Sequence, residues 1–136
     1  MEISSDERLA KLALWNLVAA DGVNITGDVD FLLDYAIIGH PKTATTFTNL
    51  WFQRHPQVRS FREEITLLSK GYPAEMVKKL HQLSDPREYP VIRGYKYPRD
   101  IQSSSALQSI STHWPSAKLI VGVRHPVLWF ESFYNL

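Results

Sequence analysis

The sequence predicts an α/β fold: a parallel sheet with helices packed on both of its faces, three layers in all. Three observations carry this expectation. Short apolar runs at residues 31–39, 91–96 and 118–123 have the length and continuity of strands buried on both faces. Between them lie stretches with apolar side chains at helical spacing, so strand alternates with helix, the pattern of a parallel sheet with crossover helices. A chain of 136 residues with 44% hydrophobic and 21% charged side chains is enough for one packed domain of ordinary composition.

Taken in order, Ser4 and Glu7 read as a capping box that opens a helix. Leu9, Leu12, Ala13 and Val18 give this helix its apolar stripe, and Asp21-Gly22 ends it. Residues 1–30 thus form an N-terminal helical extension, and residues 31–136 the α/β domain. The strand at 31–39 ends at Gly39. A helix follows over 45–54, with Phe47, Leu50 and Trp51 at helical spacing, and His55-Pro56 stops it. A short strand fits within 60–67. Residues 73–83 read as a helix with Pro73 in its first turn. After the strand at 91–96, Asp100 caps a helix over 100–113. Residues 118–123 form a second clear buried strand, and Pro126 opens the last helix, which runs to residue 136.

Charge is unevenly placed. Residues 1–34 carry two basic and seven acidic side chains, and residues 35–136 thirteen basic and seven acidic. The basic part suits an anionic ligand, although a solvated surface of mixed charge has the same composition. With no cysteine, a disulfide framework, a thiolate metal site and a cysteine nucleophile are excluded. The acidic start (Glu2, Asp6, Glu7) is unlike a signal peptide. The run from Leu12 to Ala20 is too short to span a bilayer. Asn24-Ile25-Thr26 matches a glycosylation triplet, a pattern that also arises by chance. His40, His55, His81, His113 and His125 show no metal-ligand spacing, so no metal site is expected. Trp15, Trp51, Trp114 and Trp129 read as core rather than as a sugar platform.

In parallel sheets ligands bind beyond the carboxyl ends of the strands, which singles out two turns. The first, Gly39-His40-Pro41-Lys42-Thr43-Ala44-Thr45-Thr46, joins a strand to a helix N-terminus, where free backbone N–H groups and the helix dipole favour an anion. Lys42 adds a mobile cation, and Thr43, Thr45 and Thr46 add hydroxyls. The turn is not a nucleotide triphosphatase loop of the form G-x-x-x-x-G-K-[ST]. Ala44 stands at its second glycine, Thr45 at its lysine, and the lysine lies three places earlier. The second turn delivers Arg124-His125-Pro126 at the end of a strand, with Ser132 eight residues after the arginine. An arginine fork suits phosphate. A strand–helix turn with a surface lysine, and a helix-start arginine paired with a carboxylate, account for the same residues without a ligand.

The segment Pro41-Lys42-Thr43-Ala44-Thr45-Thr46 resembles the 5′-phosphosulfate loop of sulfotransferases that use 3′-phosphoadenosine-5′-phosphosulfate (PAPS), with Ala44 where glycine is usual. Arg124-His125-Pro126 followed by Ser132-Phe133-Tyr134 resembles that family's 3′-phosphate motif. The resemblance covers residues 31–136. It implies a P-loop NTPase-like sheet, truncated here, since the family's catalytic domain continues beyond the second motif. It also implies cofactor binding by Lys42, Thr43, Ala44, Thr45, Thr46, Arg124 and Ser132. Lys42 would steady the charge that grows on the leaving phosphate.

Sulfuryl transfer further needs a base for the acceptor proton. In Gly94-Tyr95-Lys96-Tyr97-Pro98 a lysine stands where cytosolic members carry their histidine. Glu63-Glu64-Ile65-Thr66-Leu67-Leu68 resembles instead the glutamate segment of the heparan-sulfate type, which also places a K-x-P lysine at the site. The resemblance therefore implies Glu64 as base and Lys96 as a second electrostatic contact. A solvated acidic pair at Glu63 and Glu64 is the competing reading. The implied reaction is transfer of sulfuryl from PAPS to a hydroxyl or amine, with a glycan or small hydroxyl compound as acceptor and neither nucleic acid nor metal involved. The resemblance implies the Golgi lumen or membrane, while the sequence itself leaves the compartment open. Two other classes stay open: a P-loop nucleotide phosphotransferase, and a non-catalytic binding domain that keeps the fold.

Overall fold

The computed structural model describes residues 12–83 and 91–135. It is an α/β fold built on one four-stranded sheet, all parallel, in the order β2-β3-β1-β4. The strands are β1 (Tyr35–Ile37), β2 (Val58–Ser60), β3 (Ile92–Lys96) and β4 (Lys118–Ile120). Among the described residues five α-helices accompany them: α1 (Leu14–Leu17), α2 (Thr45–Gln53), α3 (Pro73–Gln82), α4 (Ser104–His113) and α5 (Pro126–Tyr134). Pro73 and Pro126 open their helices, where a missing N–H costs nothing.

The period of two along β1 sorts the core. Ala36 and Ile38 face a large cluster formed with Tyr95, with Met76, Val77 and Leu80 of α3, and with Ala106, Ile110 and Trp114 at α4. Leu17, Val18 and Val29 from the N-terminal segment belong to the same cluster. Tyr35 and Ile37 face the other way, joining Val58 in a smaller cluster under Phe52 of α2. Helices therefore lie on both faces. Tyr35 stacks on Phe52 with ring centroids 4.9 Å apart, and Gly94 makes room for this. A methyl group there would meet the Tyr35 ring at 2.2 Å.

The chain leaves β1 toward β2 by α2 on one face. It returns through β3 to β4 by α3 and α4 on the other. A reversal of direction together with a change of face keeps the crossover hand the same. The connection that leaves β1 and the one that leaves its neighbour β3 run to opposite faces, so the ligand crevice of such a sheet falls at their carboxyl ends.

Several expected elements differ. The strand expected within 60–67 is Val58–Ser60, paired with Ile92–Gly94. Residues beyond it leave the sheet edge so that Ile65 and Leu68 can plug the core. The run at 31–39 is a 3₁₀ turn at Asp30–Leu32 followed by β1. The helix expected from Asp100 is split into a 3₁₀ turn (Pro98–Gln102) and α4, and the cap is Ser103, whose Oγ accepts from Ala106 N at 3.1 Å. Asp100 is withdrawn into the core, where Tyr95 Oη donates to its Oδ2 at 2.7 Å.

The strand at 118–123, expected to be buried, is an edge strand with Leu119 and Val121 exposed, because β1 pairs only its inner side. Of the N-terminal helix, Ser4, Glu7 and Leu9 lie outside the described residues. Within them the helix ends at Leu17, and Val18 bridges antiparallel to Ile25. Asp21-Gly22 does form a turn, its carboxylate accepting from Val23 N and Asn24 N. Of the four tryptophans expected in the core, Trp114 alone is fully buried, while Trp15 and Trp51 are exposed. Trp51 lies on the side of α2 that turns away from the sheet.

Candidate functional site

The loops after β1 and β4 meet beside this crevice. Gly122 is the point of contact. A methyl group there would lie 2.2 Å from Thr43 Oγ1 and 2.7 Å from Thr43 Cβ, so only glycine lets the loops approach this closely.

The first loop is held in an uncommon shape. Lys42 has φ 63° and Ala44 φ 61°, left-handed conformations that cost a side-chain-bearing residue roughly 1–2 kcal/mol each. Thr43 Oγ1 donates to the His40 carbonyl at 2.7 Å, and Gly39 N donates to the Pro98 carbonyl at 3.0 Å. Ala44 caps α2 without a side-chain acceptor. The N–H groups of Thr45, Thr46 and Phe47 are therefore left without intrahelical partners and point out of the helix end. Such an N-terminus, on a helix of nine residues, favours an anion. Thr48 N and Oγ1 both donate to the Ala44 carbonyl, which locks the first turn.

Three of the sequence-predicted residues converge beside this turn. Lys96, at the end of β3, alternates to the α2 face, opposite to Tyr95. Its Nζ donates to Thr46 Oγ1 at 3.0 Å and pairs with Glu64 Oε1 at 3.2 Å. The Lys96 side chain is 6% exposed and that of Glu64 47%, so the carboxylate stands at the opening and the ammonium behind it. An ammonium has three donors, and the third is available to an anion. Ile65 N donates to the Lys96 carbonyl, and this bond carries the Glu64 segment alongside β3. Asn49 and Gln53 of α2 donate to the Phe61 carbonyl at 2.9 Å each, and Asn49 Oδ1 accepts from Ser60 Oγ. Glu63 points elsewhere, 3.8 Å from Lys79.

The second loop reaches the first. Arg124 Nη1 donates to the Lys42 carbonyl at 3.1 Å, and Trp129 Nε1 donates to the Pro41 carbonyl. Trp129 and Ser132 are the two residues of α5 that are half-buried rather than exposed. Three apart, they share a helix face, and Trp129 shows that this face turns toward the loop. Thr45 is buried, and Lys42 forms no ion pair or side-chain hydrogen bond among the described residues. His125 caps α5 with Nδ1 accepting from Val127 N. A cleft of about 240 Å³ lined by His40, Val123, Arg124, Pro126 and Trp129 opens here. A larger hollow of about 380 Å³ lies by α1. It is apolar apart from Lys78, which pairs with Glu75, and it offers no reactive group.

Sequence reasoning missed Asn49 and the loop role of Trp129. An interior helix asparagine carries a signal only as a polar residue amid apolar ones, and the tryptophan carried none. Behind the site, burial pushes the Asp100 carboxyl up to about 6 against the pull of the Tyr95 hydroxyl, and pushes the Tyr95 hydroxyl upward too. Among the described residues, no group of three or more metal-ligating side chains gathers, and no helix is long and apolar enough to cross a membrane. No protein-family model matches the chain, and no curated protein matches it.

Proposed function

We propose that the chain is a PAPS-dependent sulfotransferase of P-loop NTPase-like architecture, of the carbohydrate-modifying rather than the cytosolic type. The observation that carries this reading is the Lys96 ammonium, bonded at once to Thr46 at the start of the anion-binding helix and to Glu64. It gathers an anion turn, a buried cation and a carboxylate at one place. The cradle fits a phosphosulfate. Loop N–H groups and the Thr45 and Thr46 hydroxyls hold the 5′-phosphate, and Lys42, Thr43 and Ala44 form the turn around it. Arg124 and Ser132 hold the 3′-phosphate.

PAPS supplies the sulfuryl group. Glu64, at the opening, takes the proton of an acceptor hydroxyl or amine. Lys96 orients Glu64 and offers its remaining donor to the group in transfer. Lys42 offsets charge on the leaving phosphate. Positioning and positive charge do the work, as in phosphoryl transfer. The half-exposed carboxylate leaves room for a bulky acceptor, a glycan or a small hydroxyl compound.

Calorimetric titration with the desulfated product, PAP, tests the reading against a Lys42→Ala, Arg124→Ala double variant, with magnesium-ATP as a parallel ligand. Micromolar PAP binding that the double variant loses is the expected result. Magnesium-ATP binding in its place would mark a phosphotransferase. No PAP binding by folded wild-type protein sinks the proposal.

A further inference from the structure

We infer that Trp129 is a positioning residue of the anion loop. Its indole N–H holds the loop in the shape in which its N–H groups converge. Lys42 and Ala44 are both held in the left-handed conformation. Neither is glycine, so the shape persists only where the surroundings impose it. The Thr43 bond to the His40 carbonyl is internal to the loop, and the Gly39 bond to the Pro98 carbonyl lies at its start. Two donors reach the loop's carbonyls from another element: Trp129 to Pro41 and Arg124 to Lys42, on consecutive residues.

These two donors are not equivalent. Arg124 is exposed and charged, and in the proposed reading it also serves an anion, so its hold on Lys42 varies with ligand. The indole is neutral and half-buried. It is braced by Phe133, stacked on it with centroids 5.4 Å apart, so its hold is constant. Pro41 has no N–H, and its carbonyl is therefore its sole backbone hydrogen-bonding group. A single donor there fixes the peptide that leads into Lys42. Apart from Ser132, every other described residue of α5 is exposed. Trp129 is thus the point at which α5 docks on the loop, and that docking brings Arg124 and Ser132 to the crevice.

The catalytic consequence rests on the cofactor reading, but the positioning itself does not. Trp129→Phe keeps a stacked ring and removes the donor. Amide exchange at Gly39 and Thr48, whose N–H groups donate to the Pro98 and Ala44 carbonyls at the two ends of the loop, is expected to speed up about tenfold or more, and PAP affinity to fall about tenfold, with unchanged circular dichroism. Loop exchange and PAP affinity both equal to wild type would overturn the inference while leaving the cofactor reading intact. Faster loop exchange in a protein that never binds PAP keeps the positioning role and removes the cofactor reading. A second measurement needs no variant. In wild-type ¹H–¹⁵N spectra the Trp129 indole proton should exchange with water far more slowly than those of the exposed Trp15 and Trp51, and equal rates would sink the proposal even if Trp129→Phe fails to fold.

Discussion

Replacing Ala44 with glycine should make the protein more stable. At φ 61° and ψ 33°, Ala44 holds its Cβ against the following carbonyl, a conformation that costs about 1–2 kcal/mol. Glycine removes that cost but adds about 0.4–1 kcal/mol of unfolded-state freedom. The methyl is exposed, so little packing is lost, and the Ala44 carbonyl still accepts from Thr48. The net gain is about 0.5–1 kcal/mol, or ~2–4 °C in Tm for a chain of this size. Thermal unfolding followed by circular dichroism reads this directly. Two companion variants sharpen it. Lys42→Gly relieves the same strain at φ 63° and should raise Tm similarly while weakening PAP binding, because the cation is gone. Ala44→Val should lower Tm, because β-branching is still less compatible with positive φ. An Ala44→Gly protein with unchanged or lower Tm would refute the claim that residue 44 is strained.

Gly122→Ala forces a methyl to within 2.2 Å of Thr43 Oγ1; a stability loss of about 1–3 kcal/mol and weaker PAP binding are expected in denaturation and titration, and wild-type values for both would disprove the loop contact. Glu64→Gln should leave PAP affinity within about twofold yet lower turnover by about 10²-fold or more, whereas full turnover would remove Glu64 as base. Asp100 is protonated more readily in the folded state, up to about 6, than at its ordinary 3.8, so its contribution is favourable at low pH and is lost as pH rises through 6. Chemical denaturation should therefore show stability falling by up to about 3 kcal/mol between pH 4 and 7, and Asp100→Asn, which keeps an acceptor for Tyr95, should flatten that slope.

The cost of breaking the Lys96–Glu64 pair depends on which partner is removed. Lys96 is nearly buried and Glu64 half-exposed. Removing Glu64 leaves an ammonium with Thr46 as its remaining partner, whereas removing Lys96 leaves a carboxylate that water can reach. An Arg124→Ala change likewise frees the Lys42 carbonyl as well as the crevice, so its effect on an anion has a positional part beside the charge.

The order of elements and the residue types at each strand end were legible in the sequence, because periodicity, proline and glycine punctuation and turn chemistry act between near neighbours. Pro73 and Pro126 opened helices where expected, and the loop with Lys42 and the threonines stands at a strand end, as does Arg124. The N-cap of α4 was misread because serine and aspartate are alike as caps. What drew Asp100 inward was Tyr95, five residues back on a strand whose facing direction only packing reveals. The convergence at the crevice was decided by the tertiary structure alone. Lys96 meets Thr46 across 50 residues, Arg124 meets Lys42 across 82, and Trp129 meets Pro41 across 88. Those meetings follow from the strand order β2-β3-β1-β4, which is set by how two apolar faces of one sheet are buried together, a property of the whole chain that no short stretch of residues contains.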